Sequence, residues 1–288
     1  MVLMITDSGL GGLSVCAGLE QALQHSGTGS GIELLYVNAT PHDRIGYNAL
    51  KTQSERITLF NRFLSSVYKR YQPTEIAIAC NTLSVIYDAT EFASQTLVPV
   101  TGIVETGVEL CNTSISAHPD HDLIIFATET TTEADTYPRL IHAPQARMVA
   151  QPCPELAHAI SNDATGNDCR NLLTGYLEDA LNRFDHKPLA VHAFLGCTHY
   201  GYQSKIFSDL IEEQGISANI LNPNDPMIKS LSTRINYSVD NSSPLSVRFI
   251  SRYTVPQGEI DSMQSYLNDS APLTLAALND QEVHPDLF

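Results

Sequence analysis

EIAIACNTLSV at residues 75–85 and LAVHAFLGCTHYG at residues 189–201 decide how this chain is read. Each is a short apolar run closed by one cysteine and followed by small hydroxylated or hydrogen-bonding residues. An apolar run of this length reads as a strand buried on both faces, as in a parallel sheet covered by helices. The same pattern recurs in VLMIT (2–6), IELLYVN (32–38), VPVTGIV (98–104), DLIIFAT (122–128), ARMVAQ (146–151) and SANILN (217–222). Amphipathic stretches at 12–25, 52–71, 153–161, 168–184 and 202–214 fall between these runs and predict helices. The alternation predicts an α/β protein with parallel sheets. Breaker-rich stretches at 111–121 and 236–244 predict loops, and the tail from 268 onward shows no clear core pattern.

The 288 residues, 43% hydrophobic and 17% charged, suit one large or two medium α/β domains. With 16 Lys+Arg against 32 Asp+Glu, the net charge of −16 repels phosphate backbones and anionic membrane surfaces. Nucleic acid and membrane are therefore not expected partners. An anionic small ligand would need a local site of backbone N–H groups and helix N-termini. The leading MVLMITDSG has no basic segment, and no apolar stretch approaches the ~18–20 residues of a membrane span, so a cytoplasmic protein is expected. Six widely spaced cysteines (16, 80, 111, 153, 169, 197) form no CxxC pair, which argues against a zinc ribbon or a disulfide scaffold and for reduced thiols.

The chain also carries the marks of an internal duplication. Asp7, at the end of one apolar run, precedes Cys80 by 73 residues, and Thr128, at the end of another, precedes Cys197 by 69. Two related halves would place the two cysteines at equivalent strand ends, flanking a shared cleft. ITDSGLGGLSV (5–15) reads as strand, glycine-rich turn and helix, without the spacing of a dinucleotide or nucleoside triphosphate loop; taken alone, Asp7 or Ser8 would simply cap the helix. Each cysteine stands at an expected helix start, where a thiol pKa is lowered. A lone cysteine after a strand is usually a packing residue; two in matched settings argue for chemistry. A redox pair, a nucleophile with a spare, and two acid/base groups are the alternatives. Two opposed thiols suit removal of a proton from one face of a carbon and its return to the other, that is, racemisation or epimerisation.

DSGLGGLSV (7–15), ACNTLSV (79–85) and LGCTHYG (195–201) resemble, in order and spacing, the three signature segments of glutamate racemase in the cofactor-independent aspartate/glutamate racemase superfamily. The likeness runs from residue 4 to about residue 235. It implies two similar α/β domains with mainly parallel sheets related by a pseudo-twofold axis. Residues 1–100 plus 218–288 would form the first domain and 101–217 the second, with the active site in the cleft between them. It implies that Cys80 and Cys197 are the two bases, Asp7 supporting the first and His199 the second. Ser8, Asn81, Thr82 and Thr198 match positions that hold the amino-acid carboxylate and ammonium groups, and FATETT (126–131) adds Thr128 and Thr131. RIGYNAL (44–50) aligns with a loop that offers backbone N–H groups to the side-chain carboxylate, which brings in Tyr47 and Asn48. The resemblance further implies no cofactor, no metal, glutamate as the small-molecule substrate, D-glutamate for peptidoglycan synthesis as the product's use, and a homodimer.

Three departures stand against the family pattern. Gly46 and Asn48 flank Tyr47 where the family has proline and glycine; Ser161, in CPELAHAIS (153–161), falls where the family has a glutamate on the second-cysteine side, with Glu155 the nearest earlier carboxylate; and Gly201 replaces a common proline. They keep open a racemase of another acidic amino acid, such as aspartate, and a binding or regulatory relative of weak activity. HPDHD (118–122) reads as a solvated loop rather than a metal site, and Cys16, Cys111, Cys153 and Cys169 as packing residues.

Overall fold

A computed structural model describes residues 1–142, 146–235, 243–267 and 270–288. In chain order the elements are β1 (Val2–Asp7), α1 (Leu13–Ser26), β2 (Glu33–Asn38), α2 (Gln53–Tyr71), β3 (Glu75–Ile78), α3 (Asn81–Tyr87), α4 (Glu91–Gln95), β4 (Val100–Gly102), α5 (Ile103–Ala117), β5 (Asp122–Ala127), α6 (Glu129–Glu133), α7 (Thr136–Leu140) and β6 (Met148–Pro152). There follow α8 (Leu156–Asn162), α9 (Asn167–Leu181), β7 (Ala190–Gly196), α10 (Ser204–Glu213), β8 (Ser217–Leu221), α11 (Asn224–Ile235), β9 (Ser246–Ser251), α12 (Gln257–Leu267), α13 (Pro272–Asn279) and β10 (Glu282–Val283). Single 3-10 turns cover Tyr47–Ala49 and Thr198–Gln203.

The strands form two sheets, ordered β10-β9-β2-β1-β3-β4 and β6-β5-β7-β8. Every pairing within them is parallel. Counted from its own first strand, each sheet contains the order 2-1-3-4, so β1, β2, β3 and β4 correspond to β5, β6, β7 and β8. The first sheet adds β9 and β10 outside β2. This repeat of order bears out the duplication read from the spacing of Asp7, Cys80, Thr128 and Cys197.

Helices cover both faces of each sheet, leaving the central strands buried along almost their whole length. On the first sheet, Leu13, Leu19, Met227 and Met263 pack with Ile5 and Tyr36 on one side, and Phe60, Phe63 and Leu83 pack with Met4 and Ile78 on the other. On the second, Leu173, Leu177 and Phe207 pack with Ile124 and Leu195, and Cys111, Ile115 and Tyr137 pack with Ile125 and Phe194. The four cysteines expected to pack (Cys16, Cys111, Cys153, Cys169) are buried and free.

Some expectations are corrected. The stretch 111–121 is not all loop, because α5 continues to Ala117, burying Cys111 and Ile115 at helical spacing. The tail from 268 does build core: α13 begins at Pro272, and Leu287 and Phe288 are buried, with Phe288 edge-on to Phe63 at 5.2 Å. Of the loop expected at 236–244, residues 236–242 lie outside the described residues. Ser217–Leu221 pairs with β7, so the chain leaves the second sheet after 221 rather than at 218. His118 of HPDHD is exposed, yet its ring stacks on that of His121, and both lie tilted against His192, which is fully buried on β7. Among the described residues no group of His, Cys, Asp or Glu is arranged to hold a metal ion.

Candidate active site

The C-terminal ends of β1, β3, β5 and β7 carry the residues singled out by the sequence, as parallel sheets commonly arrange their sites. Asp7 ends β1 and is almost wholly buried. Its Oδ1 accepts the Gly9 N–H at 3.0 Å, its Oδ2 accepts the Gly12 N–H, and Thr198 Oγ donates to Oδ2 at 2.7 Å from the other half of the molecule. The glycine turn is shaped by this approach. A Cβ on Gly11 would stand 2.4 Å from Thr198 Oγ and 2.6 Å from the His199 backbone nitrogen, so only a glycine lets the two halves meet here. Neither Asp7 nor Ser8 is the N-cap of α1; that position is Gly12, whose N–H the Asp7 carboxylate holds.

The two cysteines occupy matching backbone positions. Cys80 precedes α3 with φ −151° and ψ 121°, and Cys197 precedes its 3-10 turn with φ −149° and ψ 134°. Ser8 Oγ lies 3.3 Å from the Cys80 sulfur and also approaches Asp7 Oδ1 at 3.4 Å; His199 Nδ1 lies 3.7 Å from the Cys197 sulfur. The thiol pKa values run opposite to the helix-start expectation. Burial, followed by the Asp7 charge, pushes Cys80 well up and Cys197 up to about 12. Short helical turns supply only partial charges, and removing a thiolate from water outweighs them here. His199 is pushed down, first by burial, which holds its imidazole neutral beside the Cys197 sulfur.

Around the thiols the two halves interlock. Thr82 Oγ is 2.9 Å from Thr128 Oγ, which in turn is 3.0 Å from Thr131 Oγ. Asn224 Nδ2 donates to Ser14 Oγ and to the Thr198 carbonyl, and the Tyr202 hydroxyl donates to the Leu10 carbonyl. Asn81 Nδ2 and the Tyr47 hydroxyl are buried without a hydrogen-bond partner. A buried polar group left unpaired costs free energy, and a bound ligand that satisfies it recovers that cost.

Asp7, Ser8, Tyr47, Cys80, Asn81, Thr82, Thr128, Thr131, Cys197, Thr198 and His199 are thus buried or half-buried at the strand ends and the turns beside them. Asn48 is not brought in: it is exposed, and its carbonyl faces Arg56. Ser161 is buried on α8, while Glu155 is exposed. Sequence reasoning missed Arg56 and Tyr137. Arg56 binds the carbonyls of Tyr47 and Leu50 and reaches Glu133 of the second half at 3.5 Å. Tyr137 donates to Asn81 Oδ1. An aromatic nine residues past Thr128, at the start of a short helix, was the available signal for Tyr137; Arg56 gave none within the charged face of α2.

The chain is 27% identical over 234 residues to a glutamate racemase of Clostridium perfringens, covering 80% of this chain and 81% of that one. It is 28% identical over 211 residues to a glutamate racemase of Pseudomonas entomophila, covering 72% of each. It is a relative of the glutamate racemases. The racemase fold extends beyond the aligned sequence: the glutamate racemase of Francisella tularensis, solved in complex with D-glutamate, superposes with a TM-score of 0.69 over 92% of each chain at 20% identity. No protein-family model matches the chain.

Proposed function

We propose that this protein is a glutamate racemase that interconverts L- and D-glutamate with Cys80 and Cys197 as its two bases and no cofactor. The observation that carries the reading is the pair of thiols in matching backbone conformation at the ends of the equivalent strands β3 and β7, with the charge of Asp7 acting on both. The sequence similarity to glutamate racemases supports the substrate.

In one direction the Cys80 thiolate takes the Cα proton and the electron pair of the broken C–H bond passes toward the α-carboxylate. The Cys197 thiol then gives its proton to the opposite face of Cα and becomes the thiolate. The other direction reverses the two roles. Both thiols are protonated in the empty site, so the reactive form needs one proton to leave. That proton passes to solvent before the site closes, and the thiolate left behind has a polar neighbour on either side: the Ser8 hydroxyl, in contact with Asp7, beside Cys80, and the His199 imidazole beside Cys197. A substrate ammonium group would stabilise the thiolate further. Ser8, Asn81, Thr82, Thr128, Thr131 and Thr198 are the proposed contacts for the amino-acid head group, and Tyr47 lines the side-chain end. Both thiols are less than a tenth exposed, so the two halves must part for substrate to enter.

We read the chain as two domains divided near residue 100 and again after β8. The protein is proposed to be cytoplasmic, to supply D-glutamate for peptidoglycan, and to form a homodimer, which sedimentation velocity tests. No helix among the described residues is long and apolar enough to cross a membrane.

Proton NMR in D₂O, with circular dichroism of the amino acid, should show loss of the glutamate Cα–H together with loss of optical activity. Cys80→Ala and Cys197→Ala should each lower racemisation by about 10³-fold or more. Full-rate turnover by either variant would rule out the two-thiol mechanism. The exposed Asn48 motivates a second reading, a racemase of another acidic amino acid, and faster exchange of aspartate than of glutamate would establish it. Binding of either without exchange would identify a binding relative instead.

A further inference from the structure

Asn81 lies on α3 of the first half and Tyr137 on α7 of the second, and the hydroxyl of one donates to the side-chain oxygen of the other. Both residues are 1% exposed. The tyrosine ring has no freedom to move away. It packs on Phe194 with ring centroids 4.6 Å apart, and it fills the space over Gly107, where a Cβ would stand 2.9 Å from the hydroxyl. The two ends of an asparagine amide are alike in shape, so a fixed partner decides which end points where. Burial raises the Tyr137 pKa well above its usual value, so the phenol keeps the proton it donates to Oδ1. With Oδ1 on that donor, the NH₂ end faces the other way, where it is buried and has no partner.

We propose that Tyr137 is a positioning residue that holds the Asn81 amide so that its NH₂ group is presented to the substrate α-carboxylate. The proposal rests on the racemase reading for the substrate and adds the group that Asn81 recognises: with its oxygen engaged, the side chain offers donors, which suit a carboxylate rather than an ammonium. It also makes this contact conditional on closure. The hydrogen bond joins the two halves, so the amide is oriented only when they are together, and the α-carboxylate meets a prepared donor only in the closed site.

Tyr137→Phe keeps the ring and its packing and removes the hydroxyl. In racemisation assays it should raise KM for both enantiomers and lower kcat/KM roughly tenfold, part of the loss falling on kcat, because the α-carboxylate takes on further negative charge as the Cα–H electron pair moves toward it. Asn81→Asp, which retains an acceptor for Tyr137 but offers no donor, should raise KM at least as much, and adding Tyr137→Phe to it should change nothing further. An unchanged KM in Tyr137→Phe, or effects that multiply in the double variant, would overturn the proposal. A second readout needs no substrate. The Asn81 side-chain NH₂ signals in ¹⁵N-labelled protein, assigned by their loss in Asn81→Asp, should shift in Tyr137→Phe; signals that stay in place would overturn it. Wild-type protein that fails to racemise glutamate would count against the proposed function and leave the NMR result to judge Tyr137.

Discussion

In the first half of the molecule the Cys80 sulfur faces a hydroxyl, Ser8 Oγ at 3.3 Å; in the second the Cys197 sulfur faces an imidazole, His199 Nδ1 at 3.7 Å. The backbone around the two cysteines is nearly the same, and so is the order of the strands that carry them. The difference teaches that the repeated sheets supply placement while the neighbouring side chains give the two thiols different hydrogen-bond partners. A serine hydroxyl and a neutral imidazole can each hydrogen-bond a thiol, but only the imidazole changes charge in the physiological range, and burial pushes His199 below its usual value. The Asp7 carboxylate touches Ser8 and is tied to Thr198 across the cleft.

Removing the two neighbours one at a time is the strongest way to break this comparison. His199→Ala should lower kcat/KM by about 10²-fold, and Ser8→Ala by roughly tenfold. The equilibrium constant between enantiomers is unity, so each loss must be equal in the two directions. The asymmetry should appear in the Cα–²H isotope effect on kcat/KM. It should grow in His199→Ala with the enantiomer whose proton Cys197 removes, and in Ser8→Ala with the other. The same enantiomer responding in both variants would mean that the neighbours do not divide the work as placed.

The halves differ also in what is added at their edges. The first sheet carries β9, β10 and α13, and the α13 N-terminus is held by Glu20 of α1, fully buried. The Glu20 carboxylate accepts the backbone N–H groups of Leu273 and Thr274 at 2.9 and 2.8 Å and the Thr274 hydroxyl at 2.8 Å. Glu20→Ala should lower the unfolding free energy by about 2–3 kcal/mol in urea titrations. No change would show that the added segment is held by apolar packing alone.

The smallest expected effect is the pH dependence of stability. Cys80 and Cys197 have higher pKa values folded than unfolded, so the folded chain keeps protons that the unfolded chain releases. Their contribution is full below about pH 8.5 and is lost as the pH rises above it. His199 and His192 have lowered values; their contribution is full above about pH 6.5 and is lost as the pH falls below it. Thermal melts should give a lower Tm on both sides of neutrality. The alkaline fall should be shallower in the Cys80→Ala/Cys197→Ala double variant, and an equal fall would assign it to the four packing thiols, which are raised as well.

Much of the fold was legible because strands buried on both faces read as apolar runs, and all eight runs named from the sequence contain a strand. Those that escaped notice have mixed faces: β9 is exposed and half-buried over its first three residues, and β10 spans two half-buried residues. α5 was hidden by the Ser, Thr and Asn residues of its last turns, whose exposed side chains resemble a loop in composition. At the site, Cys80, Cys197, Asp7 and Thr198 stood out through spacing and resemblance. Asn48 did not enter the site, and the Tyr137–Asn81 contact joins residues 56 positions apart, which no local pattern reveals.

By itself the sequence determined the alternation of strand and helix, the duplication and the two thiols at strand ends, because hydrophobic periodicity and residue spacing are local properties. Only the tertiary structure decided that Asp7 reaches across to Thr198, that Gly11 is needed for the halves to touch, that the last two residues are core, and that both thiols are held protonated. Each of these depends on which distant groups come together and how completely they exclude water, and burial then outweighs the helix-start effect that a local reading supplies.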